Sequence, residues 1–281
     1  MDIGIGLPNM VPGASGTDIV EWAKRSEDRG FSSLGTLDRL LYESYEPLTA
    51  LAAAAAVTER IGLLTAVLLG PLRSNAVLLA KQSQTVQALS GGRLTLGIGL
   101  GARDDDYEAS GVETGERGRL FDKLLAEVTE TWEGGGVGPS VDMPPRLVVG
   151  GQVDRAFERV ARFAAGWIQG ASGVQQFEEL APKVEAAWSE AGRDGEPLKL
   201  SISYYSLGDQ AEENARRDLS HYYEWLGEDI VELIVGAAAT DADTVRGYVE
   251  DFEKAGCDEL TFFPCSADVE QVDLLAEAVG I

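Results

Sequence analysis

Arg146-Leu147-Val148-Val149-Gly150-Gly151-Gln152-Val153, running on through Asp154–Ala164 to Gly166-Trp167-Ile168-Gln169, is the stretch whose reading decides the fold. Arg146–Val149 is a short apolar run of strand length. Val153, Ala156, Phe157, Val160, Ala161 and Ala164 then step by three and one, which marks one face of a helix. Gly166–Gln169 is a second apolar run. Strand, helix and strand in this order form one β/α unit of a parallel sheet.

The same alternation continues in both directions. Candidate strands are Ile3–Leu7, Ser33–Leu37, Ile61–Val67, Leu94–Leu100, Arg146–Val149, Gly166–Gln169, Lys199–Tyr204 and Leu260–Phe263. Leu79, Gln82, Val86 and Leu89 give a weaker helical stripe, and Thr17-Asp18 before Ile19 reads as a helix N-cap. The long crossover Asp209–Thr244 has room for two helices. Eight β/α units predict an α/β fold, a single (β/α)8 TIM barrel over residues 1–281, close to the usual length of about 250 residues. Gly134-Gly135-Gly136-Val137-Gly138-Pro139 reads as a loop, not a domain boundary. The alternative, an open doubly wound sheet, expects GxGxxG. Gly97-Ile98-Gly99-Leu100-Gly101 brings its third glycine one residue early.

Composition narrows the function. Lys+Arg is 23 and Asp+Glu is 47, a formal charge of −24. Such a surface repels polyanions, so nucleic acid is not an expected partner. No apolar run reaches membrane-spanning length, and the start Met1-Asp2-Ile3-Gly4 lacks a signal-peptide pattern. A cytoplasmic protein acting on a small-molecule substrate is expected. Cys257 and Cys265 flank the last strand, ~20 Å or more apart at strand rise, too far for a disulfide. The only histidine is His221, read as a helix-face residue without a role. No metal site is expected.

A barrel places its chemistry at the C-terminal strand ends. Those ends carry Leu7-Pro8-Asn9, Asp38-Arg39, Thr65–Arg73, Gly99–Arg103, Gly150–Val153 and Gln169-Gly170. A glycine pair between strand and helix, as at Gly150-Gly151, lets a phosphate approach free N–H groups at a helix N-terminus. An ordinary tight turn explains the pair equally well. Arg39, Arg73 and Arg103 at strand ends point weakly to an anionic ligand. Asp104-Asp105-Asp106 reads as a solvated loop. The tryptophans read as core, except Trp167 near the mouth. No lysine falls at a strand's C-terminal end, which argues against a Schiff-base aldolase.

Several segments together resemble the bacterial luciferase-like flavin-dependent oxidoreductases. They are Ser26–Leu34, Asp38, Glu46-Pro47-Leu48 through Thr58–Leu63, Ala88–Gly99, Glu116–Leu120, Gly150-Gly151 with Ala165-Gly166-Trp167, and Ala255–Leu260. The resemblance spans nearly the whole chain in order. It implies a monooxygenase using reduced FMN and oxygen, or alternatively a deazaflavin coenzyme passing a hydride. Cofactor contacts are then expected from Asp38, Ala66, Val67, Leu100, Gly101, Arg103, Gly150, Gly151, Gln152 and Val153, with a cis peptide at Ala66–Val67 and the phosphate on the N–H groups of Gly151–Val153. A flavin reductase as partner and a homodimer are both common in the family. Many relatives carry a histidine after the acid that ends the second strand; here it is Arg39. Arginine is no base near neutral pH, so Arg39 is expected as the catalytic-site residue holding an anionic substrate or intermediate. The short Trp132–Pro144 region, read as an excursion near the mouth, suggests a more open or differently lidded site. Two further readings compete: a non-catalytic flavin-binding barrel, and a phosphate-binding lyase or isomerase without a redox cofactor.

Overall fold

The computed structural model describes residues 1–281. The parallel strands are β1 (Asp2–Gly6), β2 (Ser33–Thr36), β3 (Gly62–Thr65), β4 (Leu68–Leu69), β5 (Leu94–Gly99), β6 (Arg146–Gly150), β7 (Gly166–Gln169), β8 (Leu198–Tyr205) and β9 (Glu259–Pro264). β3 and β4 are two pieces of one barrel stave. Leu63 pairs with Leu94 and, beyond the break, Leu68 pairs with Ile98. The intervening Ala66–Val67 peptide is cis, at the position the resemblance implies. β1 pairs with both β2 and β9, and β3 with β5, so eight staves close into the expected barrel. The open-sheet alternative is excluded by that closure.

The helices are α1 (Gly16–Arg29), α2 (Pro47–Ala55), α3 (Ala76–Leu89), α4 (Asp104–Ala109), α5 (Arg117–Gly134), α6 (Asp154–Phe163), α7 (Gly173–Glu190), α8 (Ala211–Tyr223), α9 (Glu228–Gly236), α10 (Ala242–Lys254) and α11 (Glu270–Val279). The crossover after β8 does hold two helices, α8 and α9, before α10 begins. None of the helices is long and apolar enough to cross a membrane.

Local sequence explains most boundaries. The α1 cap is Ser15, not Thr17. The Ser15 hydroxyl accepts from the Asp18 N–H at 3.2 Å while the Asp18 carboxylate accepts from the Ser15 N–H at 2.7 Å, a reciprocal capping box. In α3 the stripe is only half right: Leu79 and Val86 are buried, whereas Gln82 and Leu89 are exposed. In α6 Ala156, Phe157, Val160 and Ala161 are buried as the period requires, and Val153 is the exposed N-cap.

The core has two layers. Between strands and helices, Trp22, Phe121, Phe157, Trp167, Phe177 and Phe252 are all within 2% of full burial. Burying each contributes roughly 1.5–3 kcal/mol. Inside the barrel, Leu64, Val148, Ile168, Leu200, Ile202 and Phe263 form a second cluster. This inner cluster does not stop at the strand ends: it continues into Ala215 and Leu219 of α8 and Val231 and Val235 of α9. The two helices after β8 therefore lie over the barrel's mouth.

The Trp132–Pro144 region is at the other end. It joins the C-terminus of α5 to the start of β6, so it borders the N-terminal strand ends, beside Asp2, Gly62 and Arg93. Its shortness therefore does not open the mouth. A cavity of about 770 Å³ lies there. Arg93, one of its charged residues, is consumed by carbonyls of Ala55, Thr58, Ile61 and Ser90, a clamp on the barrel base. Conserving structure is the usual role of that face.

Candidate active site

The mouth is built from strand ends held by side chain to backbone bonds. Asn9, just past β1, donates to the Leu37 carbonyl at 2.8 Å and accepts from the Leu37 N–H at 3.2 Å, which sets the β1 and β2 ends side by side. Asp38 is buried and accepts from the Leu69 N–H at 2.9 Å and from Arg73 at 2.8 Å. It thereby ties β2 to the stave that follows the cis peptide. Val67 points between Gly99 and Gly150: a Cβ on Gly99 would fall 2.7 Å from it, and one on Gly150 3.1 Å. These glycines make room for the Val67 side chain.

Beyond β5, Leu100 accepts from the Tyr107 hydroxyl, and Gly101 takes a positive φ of 75°. Arg103 binds Asp105 at 2.6 Å, donates to the Tyr222 carbonyl at 3.3 Å and lies 5.3 Å from the Trp225 ring. That bond from Arg103 holds the Asp105 carboxyl down at about 2. The three arginines do not converge on one free anion position. Arg73 serves Asp38 and Glu46, Arg103 serves Asp105, and Arg39 serves Asp106 at 2.6 Å.

Arg39 and Asp106 form a buried pair, with side chains 3% and 1% exposed. Asp106 also accepts from the N–H groups of Leu40 and Leu41, at 3.2 and 2.7 Å. The triplet Asp104–Asp106 is thus no solvated loop. It opens α4, and the turn of the helix brings only its third acid inward. One Arg39 nitrogen, Nη1, is shielded from solvent and has no partner. The guanidinium also lies 5.5 Å from the Tyr42 ring and 5.8 Å from the Tyr222 ring.

The β6–α6 turn carries a run of free donors. Among Gly151, Gln152, Val153, Asp154 and Arg155, no N–H meets an acceptor in the chain; the next residue, Ala156, bonds Val153 at 2.7 Å. Five such groups at one helix N-terminus are suited to an anion. Gly151 has φ 153°, and a Cβ on it would fall 2.5 Å from that of Ala156. The Trp167 indole N–H donates to the Gly151 carbonyl at 2.7 Å and pins the turn. Trp167 itself does not face the mouth: it is fully buried in the outer layer against Phe157 and Phe177.

The other side of the mouth is aromatic. Tyr204 and Phe263 at strand ends meet Tyr222 and Tyr223 of α8, and the hydroxyls of Tyr204 and Tyr223 are 2.8 Å apart. Trp225, expected in the core, is 41% exposed on the turn beyond α8. Sequence reading missed Tyr42, Asp218 and this tyrosine cluster. A signal for Asp218 was present: Ala211, Ala215 and Leu219 define the inward stripe of α8, and Asp218 and Tyr222 share it. No group of potential ligands for a metal ion occurs.

Comparison with known proteins agrees with this architecture. Residues 1–259 match the family described as luciferase-like monooxygenase. An uncharacterised protein of Mycobacterium tuberculosis is 31% identical over 221 residues, covering 73% of this chain and 74% of the relative. The F420-dependent glucose-6-phosphate dehydrogenase of Kribbella flavida is 30% identical over 245 residues, covering 77% and 73%. The monooxygenase RslO1 of Streptomyces bottropensis superimposes with a TM-score of 0.82 at 22% identity, covering 99% and 98% of the two chains. On this match and on its closed eight-stave barrel, the chain belongs to the luciferase-like monooxygenase family of oxidoreductases.

Proposed function

We propose that this protein is a deazaflavin-dependent oxidoreductase that passes a hydride between the cofactor and a small hydroxylated or carbonyl substrate. The observation that carries the reading is the set of unpartnered N–H groups from Gly151 to Arg155 at the start of α6. Gly151, Gln152 and Val153 would hold the cofactor phosphate there. Val67, set between Gly99 and Gly150, would support the ring system, with Leu100 and Gly101 beside it. A deazaflavin supplies a carbon that accepts and returns a hydride.

Deazaflavin is chosen over FMN on two grounds. The glucose-6-phosphate dehydrogenase relative is named for that cofactor and is 30% identical over 77% of this chain. The turn also leaves Gln152 and Val153 exposed on its outer side, which gives a phosphodiester tail a path outward. In this reading Asp38 and Arg103 act on the site through their partners, Leu69 with Arg73 and Asp105, and Arg39 fixes the loop after β2 through Asp106. A thermal-shift titration with deazaflavin coenzyme and FMN, each oxidised and anaerobically reduced, tests it. A clear rise in Tm with the deazaflavin is expected, because a ligand of the native state stabilises it by mass action. A rise with FMN alone would restore oxygen chemistry; no rise with either would return the phosphate-binding lyase.

A further inference from the structure

We propose that Asp218, carried over the mouth by α8, is the residue that takes and returns the substrate's oxygen-bound proton. This rests on the hydride-transfer reading above. The residue after Asp38 is Arg39, which is no base near neutral pH and is already paired with Asp106.

The other acids of the mouth are engaged. Asp38 holds Arg73, Asp105 holds Arg103, and Asp106 holds Arg39. Asp218 makes no ion pair, and its Oδ1 is shielded from solvent without a hydrogen-bond partner. It lines a pocket at the strand ends together with Leu37, Tyr204, Tyr222 and Phe263. An unpaired carboxyl among apolar and aromatic side chains resists ionisation. Burial pushes Asp218 up to about 7, against the opposing pull of Arg217 on the same helix. The groups that face it most directly are two tyrosines and a thiol, uncharged near that pH. Tyr42 faces it from the loop after β2, Tyr223 from α8 and Cys265 from the end of β9, and each is shifted upward. The Tyr42 hydroxyl is likewise shielded and without a partner.

The pocket beneath Asp218 measures about 10 Å³, room for no more than one water. In this proposal a substrate oxygen reaches Asp218 only when α8 stands further from the strand ends than it does here, so the step needs α8 to move outward and to stay outward while the substrate is bound. The step balances as follows. The substrate O–H bond breaks and its proton moves to Oδ1. The electron pair of that bond becomes the second bond of a carbonyl, and the neighbouring C–H pair leaves as hydride to the deazaflavin-type cofactor. The substrate is oxidised, the cofactor is reduced, and the neutral carboxyl gives its proton to water. The reverse reaction runs the same transfers backward.

Asp218→Asn tests this, since the amide matches the shape of the acid and cannot ionise. Deazaflavin reduction is followed from pH 5 to 9 with 2-propanol, cyclohexanol and glucose 6-phosphate as probes. Wild type is expected to show a kcat/KM inflection near pH 7. The variant is expected to lose that inflection and at least 100-fold in turnover, with deazaflavin Kd changed less than threefold. A second readout needs no substrate. A carboxyl whose pKa is raised by folding contributes stability below its unfolded value that is lost as pH rises through the folded one. The Tm of wild type relative to Asp218→Asn should therefore fall between pH 4 and about 7 and level off above. Parallel Tm curves overturn the proposal, because Asp218 then does not titrate in this range. Diverging curves with unchanged turnover and pH profile also overturn it and leave a structural acid. Wild type that binds no deazaflavin, or oxidises none of the probes, overturns the hydride-transfer reading, and this inference falls with it.

Discussion

The two halves of the barrel mouth start from equivalent strand ends and finish differently. On the β5–β6 side, backbone faces the opening: Gly101, Gly150 and Gly151 are half-buried, and five N–H groups of the α6 start have no acceptor. On the side of β1, β2, β8 and β9, side chains fill it. Leu37, Tyr204 and Phe263 are covered by Leu219 and Tyr222, and the pocket between them is only about 10 Å³. Glycine gives one half donors that suit a charged group; aromatic and apolar side chains give the other half a dry lining that strengthens any charge interaction inside it. A cofactor phosphate and a substrate's reacting oxygen need these two environments respectively. The lesson is that one scaffold makes both by the choice between no side chain and a large one at the same strand position.

The sharpest way to break this picture is at the seam between the halves, where Arg39 meets Asp106. Removing one member of a buried ion pair leaves the other charge desolvated, typically at 3–5 kcal/mol. Asp106→Ala also orphans the N–H groups of Leu40 and Leu41. We expect a loss of about 3–5 kcal/mol in urea unfolding, the largest effect of any single change at the mouth. A loss below about 1 kcal/mol would mean that the loop after β2 relaxes freely and that Arg39 is available to ligands after all.

On the glycine half, Gly151→Val places a side chain where Cβ alone meets Ala156 at 2.5 Å. The turn must shift, and its N–H groups lose their common aim. Charge-assisted hydrogen bonds are worth roughly 1.5–3 kcal/mol each. Loss of one or two predicts a fall in deazaflavin affinity of about 100-fold, read by titration calorimetry, with the barrel still folded by circular dichroism. Unchanged affinity would place the phosphate elsewhere.

How much of this was legible in the sequence follows from how far each signal reaches. The eight strands were legible because barrel strands are buried on both faces and read as apolar runs; β3 and β4 merged into one run because the break at Ala66–Val67 interrupts pairing, not hydrophobicity. Gly150-Gly151 was legible because a strand–glycine–helix order is local. Asp106 was not, because its partner Arg39 is distant in sequence and adjacent acids look solvated until α4 turns one inward. The Trp132–Pro144 loop was misplaced although chain direction settles it: a segment that follows a helix and precedes a strand lies at the N-terminal end of a β/α barrel. Asp218 was hidden by its surroundings, since an acid among Asp, Glu and Arg residues in α8 looks exposed until the stripe of Ala211, Ala215 and Leu219 is traced.

The smallest expected effect tests whether the aromatic half moves. The end of α8 is held to the barrel by the Tyr204–Tyr223 hydroxyl pair at 2.8 Å and by Arg103 on the Tyr222 carbonyl at 3.3 Å. Tyr223→Phe removes one of these without changing the ring that packs on Tyr222 at 4.7 Å. A hydrogen bond of this kind contributes about 1 kcal/mol, so the variant should lose little in global unfolding. If α8 lifts as a unit, that same 1 kcal/mol appears locally, and amide exchange over Leu219–Tyr223 should quicken about fivefold while exchange in β1 and β9 stays fixed. Equal acceleration in helix and barrel would mean that the cover opens only when the whole protein unfolds. The aromatic half would then be a permanent lid, and substrate would have to reach the ring system from the glycine side, past Leu100 and Gly101.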